Sequence, residues 1–219
     1  MGYNIAIDGP AGAGKSTIAR LLAKRKGYVY VDTGAMYRAL ALYFLEQGIR
    51  PEDREAVVDA CRKAEVAISY EDGVQQIYLN GRNVTSQIRE EAVGNMASVT
   101  SAIPEVRARL LDLQRQLAKE QDVVMDGRDI GTYVLPEAQV KVYLTASVET
   151  RADRRYKELT EKGVSCDYEE IARDIHERDE RDMNREVAPL RQAEDAVLVD
   201  SSDMTIEEVV EKIEGLCEG

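Results

Sequence analysis

Tryptophan is absent from the 219 residues, phenylalanine and histidine occur once each, and cysteine only three times. Each shortage closes off a class of chemistry. The aromatics are almost all tyrosine, 11 of them, scattered rather than interleaved with basic residues, so a stacking platform for single-stranded nucleic acid is not supported. Cys61, Cys166 and Cys217 lie far apart without CxxC spacing, which indicates neither a disulfide framework nor a zinc site and leaves buried or incidental thiols. His176 stands among Asp174, Glu177 and Asp179 on an expected exposed helix, with no second His or Cys near it in sequence. A metal-ligand or general-base role for it is therefore not expected. Positive charge is also short, with 29 Lys+Arg against 41 Asp+Glu and a net charge of -12. A protein that binds by neutralising many phosphates needs a broad basic surface, so nucleic acid and anionic membrane are excluded as general partners. No apolar run approaches the ~18 residues of a membrane span, and the N-terminus lacks a basic signal-peptide start, so the expected location is the cytoplasm. Asn83-Val84-Thr85 then fits the glycosylation pattern by accident.

Hydrophobic residues make up 44% of the chain, which is normal for a folded core. At about 150 residues per domain the length corresponds to one domain with an insert. There are no repeats and no low-complexity linker. Short apolar runs alternate with longer helical patterns, the sequence form of a parallel sheet covered by helices. Five runs qualify as strands: Tyr3 to Ile7, Tyr28 to Val31, Asp122 to Met125, Val140 to Leu144 and Ala196 to Val199. Ligands of open α/β sheets sit outside the carboxyl ends of the strands, so Asp8, Asp32, Asp126 and Thr145 should line one edge. Between the second and third runs, Val66 to Tyr70 and Gln75 to Leu79 are separated by Glu71-Asp72-Gly73 and followed by Asn80-Gly81. These are hairpin signals, and they predict a small antiparallel β insert over roughly 64–88. Pro104 should open a helix running to about Gln121, Ser147 should cap another, and Thr205 with Glu208 should form a capping box for the last.

Directly after the first strand, Gly9-Pro10-Ala11-Gly12-Ala13-Gly14-Lys15-Ser16 matches GxxxxGK[ST] at every position, with Thr17 following and a helix expected near Ser16. Glycines let backbone N–H groups converge on phosphate oxygens, the lysine reaches the β and γ phosphates, and the serine hydroxyl ligates Mg²⁺. The motif establishes nucleoside triphosphate binding and leaves open whether the γ phosphate goes to water or to a substrate.

A kinase must hold a second anion beside the triphosphate, which an acidic protein can do only with placed cations. Arg178, Arg181, Asp182 and Arg185 fall within one arc of a helix face at about 100° per residue, three cations around one carboxylate. Arg151, Arg154 and Arg155 share a face of the preceding helix. Spacing alone fits equally a solvated face held by pairs such as Arg178 to Asp182, each worth ~0.2–0.5 kcal/mol. Arg128-Asp129, straight after the third strand at the expected ligand edge, is harder to read as a solvated face.

Four segments, GPAGAGKST at 9–17, DTGAMYRA at 32–39, DGRDIGT at 126–132 and RDERDMNR at 178–185, together resemble bacterial cytidylate kinases, in order and across the whole chain. The resemblance implies a P-loop α/β fold with a five-stranded parallel sheet and helices on both faces. It implies a single domain carrying a monophosphate-binding insert at about 34–107 and a helical lid at about 151–167. It implies transfer of the γ-phosphoryl group of ATP, with Mg²⁺ held by Ser16, to CMP or dCMP in pyrimidine nucleotide metabolism. Thr33, Arg38, Ser98, Arg107, Arg128, Asp129, Arg178, Asp182 and Arg185 fall on the family's monophosphate-binding positions. By the same resemblance Arg38, Arg128 and Arg178 are phosphate ligands, Ser98, Arg107 and Asp129 read cytosine, and Asp182 with Arg185 meets the sugar. Thr33 stands where some relatives have Ser, with the hydroxyl kept. Lys15, Arg128, Arg178 and the lid residue Arg155 are the expected catalytic cations. The chain is expected to act as a monomer. Two other readings remain open: a kinase of another monophosphate or small metabolite, and a GTP-dependent switch, against which no NKxD segment is found.

Overall fold

Strand-forming runs in the sequence are mostly apolar rather than alternating, which is the signature of strands covered on both faces. The computed structural model describes residues 2–217 and shows where they go. In chain order the elements begin β1 (Asn4–Asp8), α1 (Lys15–Lys26), β2 (Val29–Asp32), α2 (Thr33–Glu46) and α3 (Arg54–Lys63). The β insert follows as β3 (Val66–Glu71), β4 (Val74–Leu79) and β5 (Arg82–Asn83), then α4 (Glu91–Thr100) and α5 (Pro104–Glu120). The chain continues through β6 (Val123–Gly127), β7 (Val140–Thr145), α6 (Val148–Glu161), α7 (Tyr168–Met183), β8 (Val197–Asp200) and α8 (Ile206–Leu216).

The main sheet has the order β2-β6-β1-β7-β8, with every pairing parallel. Side chains of successive strand residues point to opposite faces. Ile5, Ile7, Val124, Val142 and Val199 pack with α1 and α8, through Ile18, Leu22, Val210 and Ile213. Ala6, Val31, Val123 and Met125 face the other way, onto Met36, Leu40, Phe44 and Leu110 of α2 and α5. The five expected strands and the helices on both faces are thus present, each strand within two residues of its expected bounds. The antiparallel insert is present too, with a short third strand, β5, that the hairpin signals did not show. Pro104 stands at the start of α5, Ser147 caps α6 by accepting from Thr150 N, and Thr205 with Glu208 forms the capping box of α8.

Two features of this frame position the site. The chain places β6 and β7 on opposite sides of β1, so the switch point of the sheet falls at β1, where the glycine-rich loop begins. The register pairs Asp32 with Asp126 and Asp8 with Gly127, which brings Asp8, Asp32 and Asp126 to one edge, as the strand ends imply. The insert is clasped to that edge by Gln75, which accepts from Asp32 N at 2.8 Å and donates to Asp32 O at 3.2 Å.

Candidate active site

The loop leaves β1 so close to β7 that a Cβ on Gly9 would stand 1.9 Å from the Leu144 carbonyl oxygen; only glycine passes there. Gly14 sits in the left-handed region at φ 88° and opens α1 without a side-chain cap. The first N–H groups of α1 are therefore left to an external acceptor, the arrangement that binds phosphate at helix N-termini. Lys15 is buried and its Nζ donates to Pro10 O at 2.7 Å, folded over the loop. Ser16 Oγ donates to Asp126 Oδ2 at 3.0 Å, and Tyr30 OH donates to Asp126 Oδ1 at 3.0 Å.

The electrostatics of this end are those of a site built for a charged ligand. Burial, with Arg128 nearby, brings the Lys15 ammonium down to about 7. Burial, then the neighbouring Asp32 charge, pushes Asp126 up to about 6. Burial likewise pushes Asp8 up to about 7, against the opposing effect of two backbone donors. Those donors, Gly131 N and Ile130 N, each lie 2.7 Å from the Asp8 carboxylate. They pin the turn after β6, which is wide enough for Val134 N to reach back five residues to Asp129 O at 3.1 Å. Asp8 thereby sets where Arg128 and Asp129 stand.

A proton signature follows. Burial lowers the Lys15 ammonium to about 7, well below its ordinary value, so at alkaline pH the unliganded side chain is more readily neutral than a free lysine. A polyphosphate beside Lys15 favours its charged form, so binding of a nucleoside triphosphate at pH 8 is expected to take up protons. Calorimetry in buffers of different ionisation enthalpy should show net uptake, and Lys15→Met should remove most of it; proton release in the native protein would contradict the assignment.

Beyond the loop, five of the nine expected acceptor-site residues meet in two charge groups. Arg107 from α5 donates to the Asp129 carboxylate, and both are buried. The Arg107 guanidinium lies between two rings, 5.5 Å from the Tyr37 centroid and 6.0 Å from that of Tyr133. Burial raises Asp129 while Arg107 opposes it, leaving the carboxyl above its ordinary value. In the second group Asp182 of α7 accepts from Arg128 Nε at 2.7 Å and from Arg185 Nη2. Burial acts to raise Asp182, but Arg128 and Arg185 more than offset it and hold it low. Thr33 Oγ1 donates to Asp126 O at 2.7 Å, and Ser98 is half-buried on α4. Arg178 donates to Asn95 Oδ1 at 2.6 Å, while Arg38 makes no hydrogen bond or ion pair within the described residues. Burial lowers both Arg38 and Arg178, with cationic neighbours adding to the effect in each case.

The structure corrects three readings of the arginine clusters. α7 ends at Met183, so Arg185 lies past the helix and reaches back to Asp182 from the turn. The cations around Asp182 are Arg128 and Arg185, not Arg178 and Arg181; Arg181 is exposed and donates to its own helix at Glu177 O. Arg155, the expected lid cation, is exposed and pairs with Glu158 at 2.9 Å. α6 brings two arginines to the loop: Arg151, buried, with Nη1 donating to Ala11 O at 3.0 Å, and Arg154, whose Nη1 would lie 4.0 Å from a Cβ on Gly14. The face shared by 151, 154 and 155 is divided in the structure: Arg154 turns to the end of β8, donating to Ser201 O at 2.7 Å, and Arg155 turns to solvent. Asp126 and Asp8 were marked only as edge residues, yet one holds Ser16 and the other the Arg128–Asp129 turn. A strand-end aspartate next to a phosphate loop was the available signal for Asp126; the Asp8 contact joins residues 8 and 130 and leaves no local trace.

Comparison with known proteins decides which P-loop family this is. The family model for cytidylate kinase matches residues 5–218. The chain belongs to the cytidylate kinase family. A cytidylate kinase from Caldicellulosiruptor bescii is 52% identical over 210 residues, covering 96% of this chain and 93% of that protein. One from an Exiguobacterium species is 52% identical over 214 residues, covering 98% and 96%. Among solved structures, a gluconokinase from Sinorhizobium meliloti shares the fold at a TM-score of 0.50 and 16% identity, covering 99% of this chain and 92% of that one. Membership in the cytidylate kinase family makes the chain a phosphotransferase and removes the GTP-switch reading. No helix among the described residues is long and apolar enough to cross a membrane.

Proposed function

We propose that the enzyme transfers the γ-phosphoryl group of ATP to CMP or dCMP, giving ADP and CDP or dCDP. The observation that carries the base assignment is the buried Arg107–Asp129 pair. Cytosine offers an N4 amino donor and an unprotonated N3 acceptor; a carboxylate accepts from the first and a guanidinium donates to the ring. Uracil presents an acceptor at the amino position, which would face the Asp129 carboxylate unpaired and is rejected on that account. Ser98 assists base reading, and Asp182 with Arg185 receives the sugar hydroxyls. Arg38, Arg128 and Arg178 hold the acceptor phosphate, with Thr33 at the entrance of α2. Arg38, which makes no hydrogen bond or ion pair among the described residues, is the cation most plainly available to it.

The acceptor phosphate is itself an anionic nucleophile, so the reaction asks for positioning and charge stabilisation rather than a general base. Residues 9–17 cradle the donor phosphates, and Lys15 leaves Pro10 O to meet the transferred group. Arg128 and Arg178 hold the attacking oxygen in place. The donor set at Ser16 and Asp126 consists of hard oxygen ligands in a pocket with excess carboxylate, which fits Mg²⁺. Ser16 and Asp126 would hold the ion, which would supply positive charge against the donor phosphates. The insert at about 34–107 and the lid at about 151–167 close over the ligands and exclude water, which suppresses ATP hydrolysis.

The test is ADP formation from ATP and Mg²⁺ with CMP, dCMP, UMP, AMP and GMP supplied separately. Turnover with CMP and dCMP well above the others is expected; a different preferred acceptor would overturn the base assignment. Asp129→Asn should narrow the CMP to UMP ratio of kcat/KM by roughly 10-fold or more, because the amide can also donate. An unchanged ratio would take Asp129 out of base reading.

A further inference from the structure

Arg151 and Asp179 do something that neither the phosphate loop nor the acceptor residues account for. Arg151 is 4% exposed and its guanidinium is committed on every side. Nε donates to Ala146 O at 3.0 Å and Ser147 O at 3.3 Å, anchoring it to the end of β7. Nη1 donates to Ala11 O at the crown of the loop, 3.0 Å away, and Nη2 pairs with Asp179 Oδ2 at 2.7 Å. The stem runs under the loop as well, since a Cβ on Gly12 would lie 3.4 Å from the Arg151 Cβ. Asp179 is 6% exposed and its other oxygen, Oδ1, has no hydrogen-bond partner. The same helix, α7, carries Arg178 one residue before and Asp182 one turn after.

A buried ion pair adds little net stability over apolar side chains of equal volume, because both charges lose their hydration. Its effect is geometric: the planar fork fixes where two bodies stand relative to each other. Here the two bodies are the loop that takes the donor phosphates and the helix that presents acceptor ligands.

We infer that Arg151 and Asp179 are positioning residues forming a strut between the phosphate loop and α7, so that filling the donor site orders the acceptor site. The inference rests on the proposed ATP and CMP sites. Nucleotide binding fixes the loop at Ala11; the strut carries that restriction to α7, and CMP then meets Arg178 and Asp182 already placed. The ordering cost is met once for both ligands, which makes their binding cooperative and, by linkage, reciprocal.

The experiment measures the dissociation constant of CMP by calorimetry, with and without the β,γ-imido analogue of ATP plus Mg²⁺. It is run on the native enzyme, Arg151→Gln, Asp179→Asn and the double variant, each beside a melting curve. The native enzyme should bind CMP about fivefold or more tightly when the analogue is present. Each single substitution should bring that ratio close to one, and the double should lose no more than either single, because the pair acts as one unit. The double variant removes both charges and is the one expected to keep the fold if a single change does not. A ratio of one in the native enzyme, or a native ratio retained in the folded double variant, overturns the strut. Lowered melting temperatures with the ratio intact overturn it too, since they show a purely structural role. If the native enzyme binds the analogue but no CMP, the failure lies in the proposed substrate instead.

Discussion

Lys15→Ala is expected to lower kcat by at least about 10³-fold with ATP and CMP saturating, equivalent to roughly 4 kcal/mol of transition-state stabilisation. The ammonium feels the charges of Asp126, Asp182 and Asp8 and has one hydrogen bond, to Pro10 O. That bond holds the side chain over the loop, and under the proposed function it would be exchanged for phosphate oxygens when the donor binds. In the transition state negative charge spreads over the transferred group, and a single placed cation in a dry site is worth far more there than in water. The fold should survive. A lysine whose ammonium is brought down to about 7 by burial loses free energy on folding wherever the unfolded chain holds it charged, so its removal relieves that cost. Circular dichroism should be unchanged and the melting temperature undiminished while turnover collapses. Turnover within a few-fold of the native enzyme would mean that the loop lysine is not part of the chemistry.

The second large effect concerns stability. Asp182→Ala removes the carboxylate shared by Arg128 and Arg185, and it leaves the Arg185 guanidinium, 6% exposed, without its counter-charge. Breaking one side of a buried pair costs about 3–5 kcal/mol, because the remaining charge is neither hydrated nor paired. For a chain of this size that corresponds to a fall in melting temperature of roughly 6–20 °C. CMP or inorganic phosphate should restore part of the loss, since either supplies negative charge beside Arg128. Thermal melts with and without each ligand measure both effects. A melting temperature unchanged by the substitution would show that the arginines find water or another partner. The linkage has a definite sign: the Asp182 carboxyl is held low in the folded state, so its contribution is present at neutral pH and lost as pH falls through the acidic range.

How far the site could be read from the chain depended on how local its parts are. The phosphate loop is contiguous, nine residues whose glycines, lysine and hydroxyl all act within one turn, and its reading needed no partner from elsewhere. Strands and caps were legible for the same reason: apolar runs, Pro104, Ser147 and the Thr205–Glu208 pair act on neighbours in sequence. The arginine clusters were legible as clusters but not as contacts. Helical spacing places Arg178, Arg181, Asp182 and Arg185 together, yet the helix stops at Met183 and the partner that claims Asp182 is Arg128, 54 residues away. For the lid the division of Arg151 and Arg154 toward the loop and Arg155 toward solvent turned on how α6 packs down. The phase of a helix relative to its neighbour is set by that packing, and nothing in RADRR encodes it.

The amino-acid sequence by itself determined the fold class, the donor-phosphate loop, the edge of the sheet where chemistry occurs and the family, because each rests on residue types at short fixed spacing. Tertiary structure alone decided which charges meet: Ser16 with Asp126, Asp8 with the turn at Ile130 and Gly131, Arg107 with Asp129, Arg151 with both Ala11 and Asp179. Each of these contacts joins segments from about 20 to 140 residues apart. The attraction between two such groups is decided by their burial and distance in the folded chain, and those quantities do not exist until the sheet, the insert and the lid have packed together.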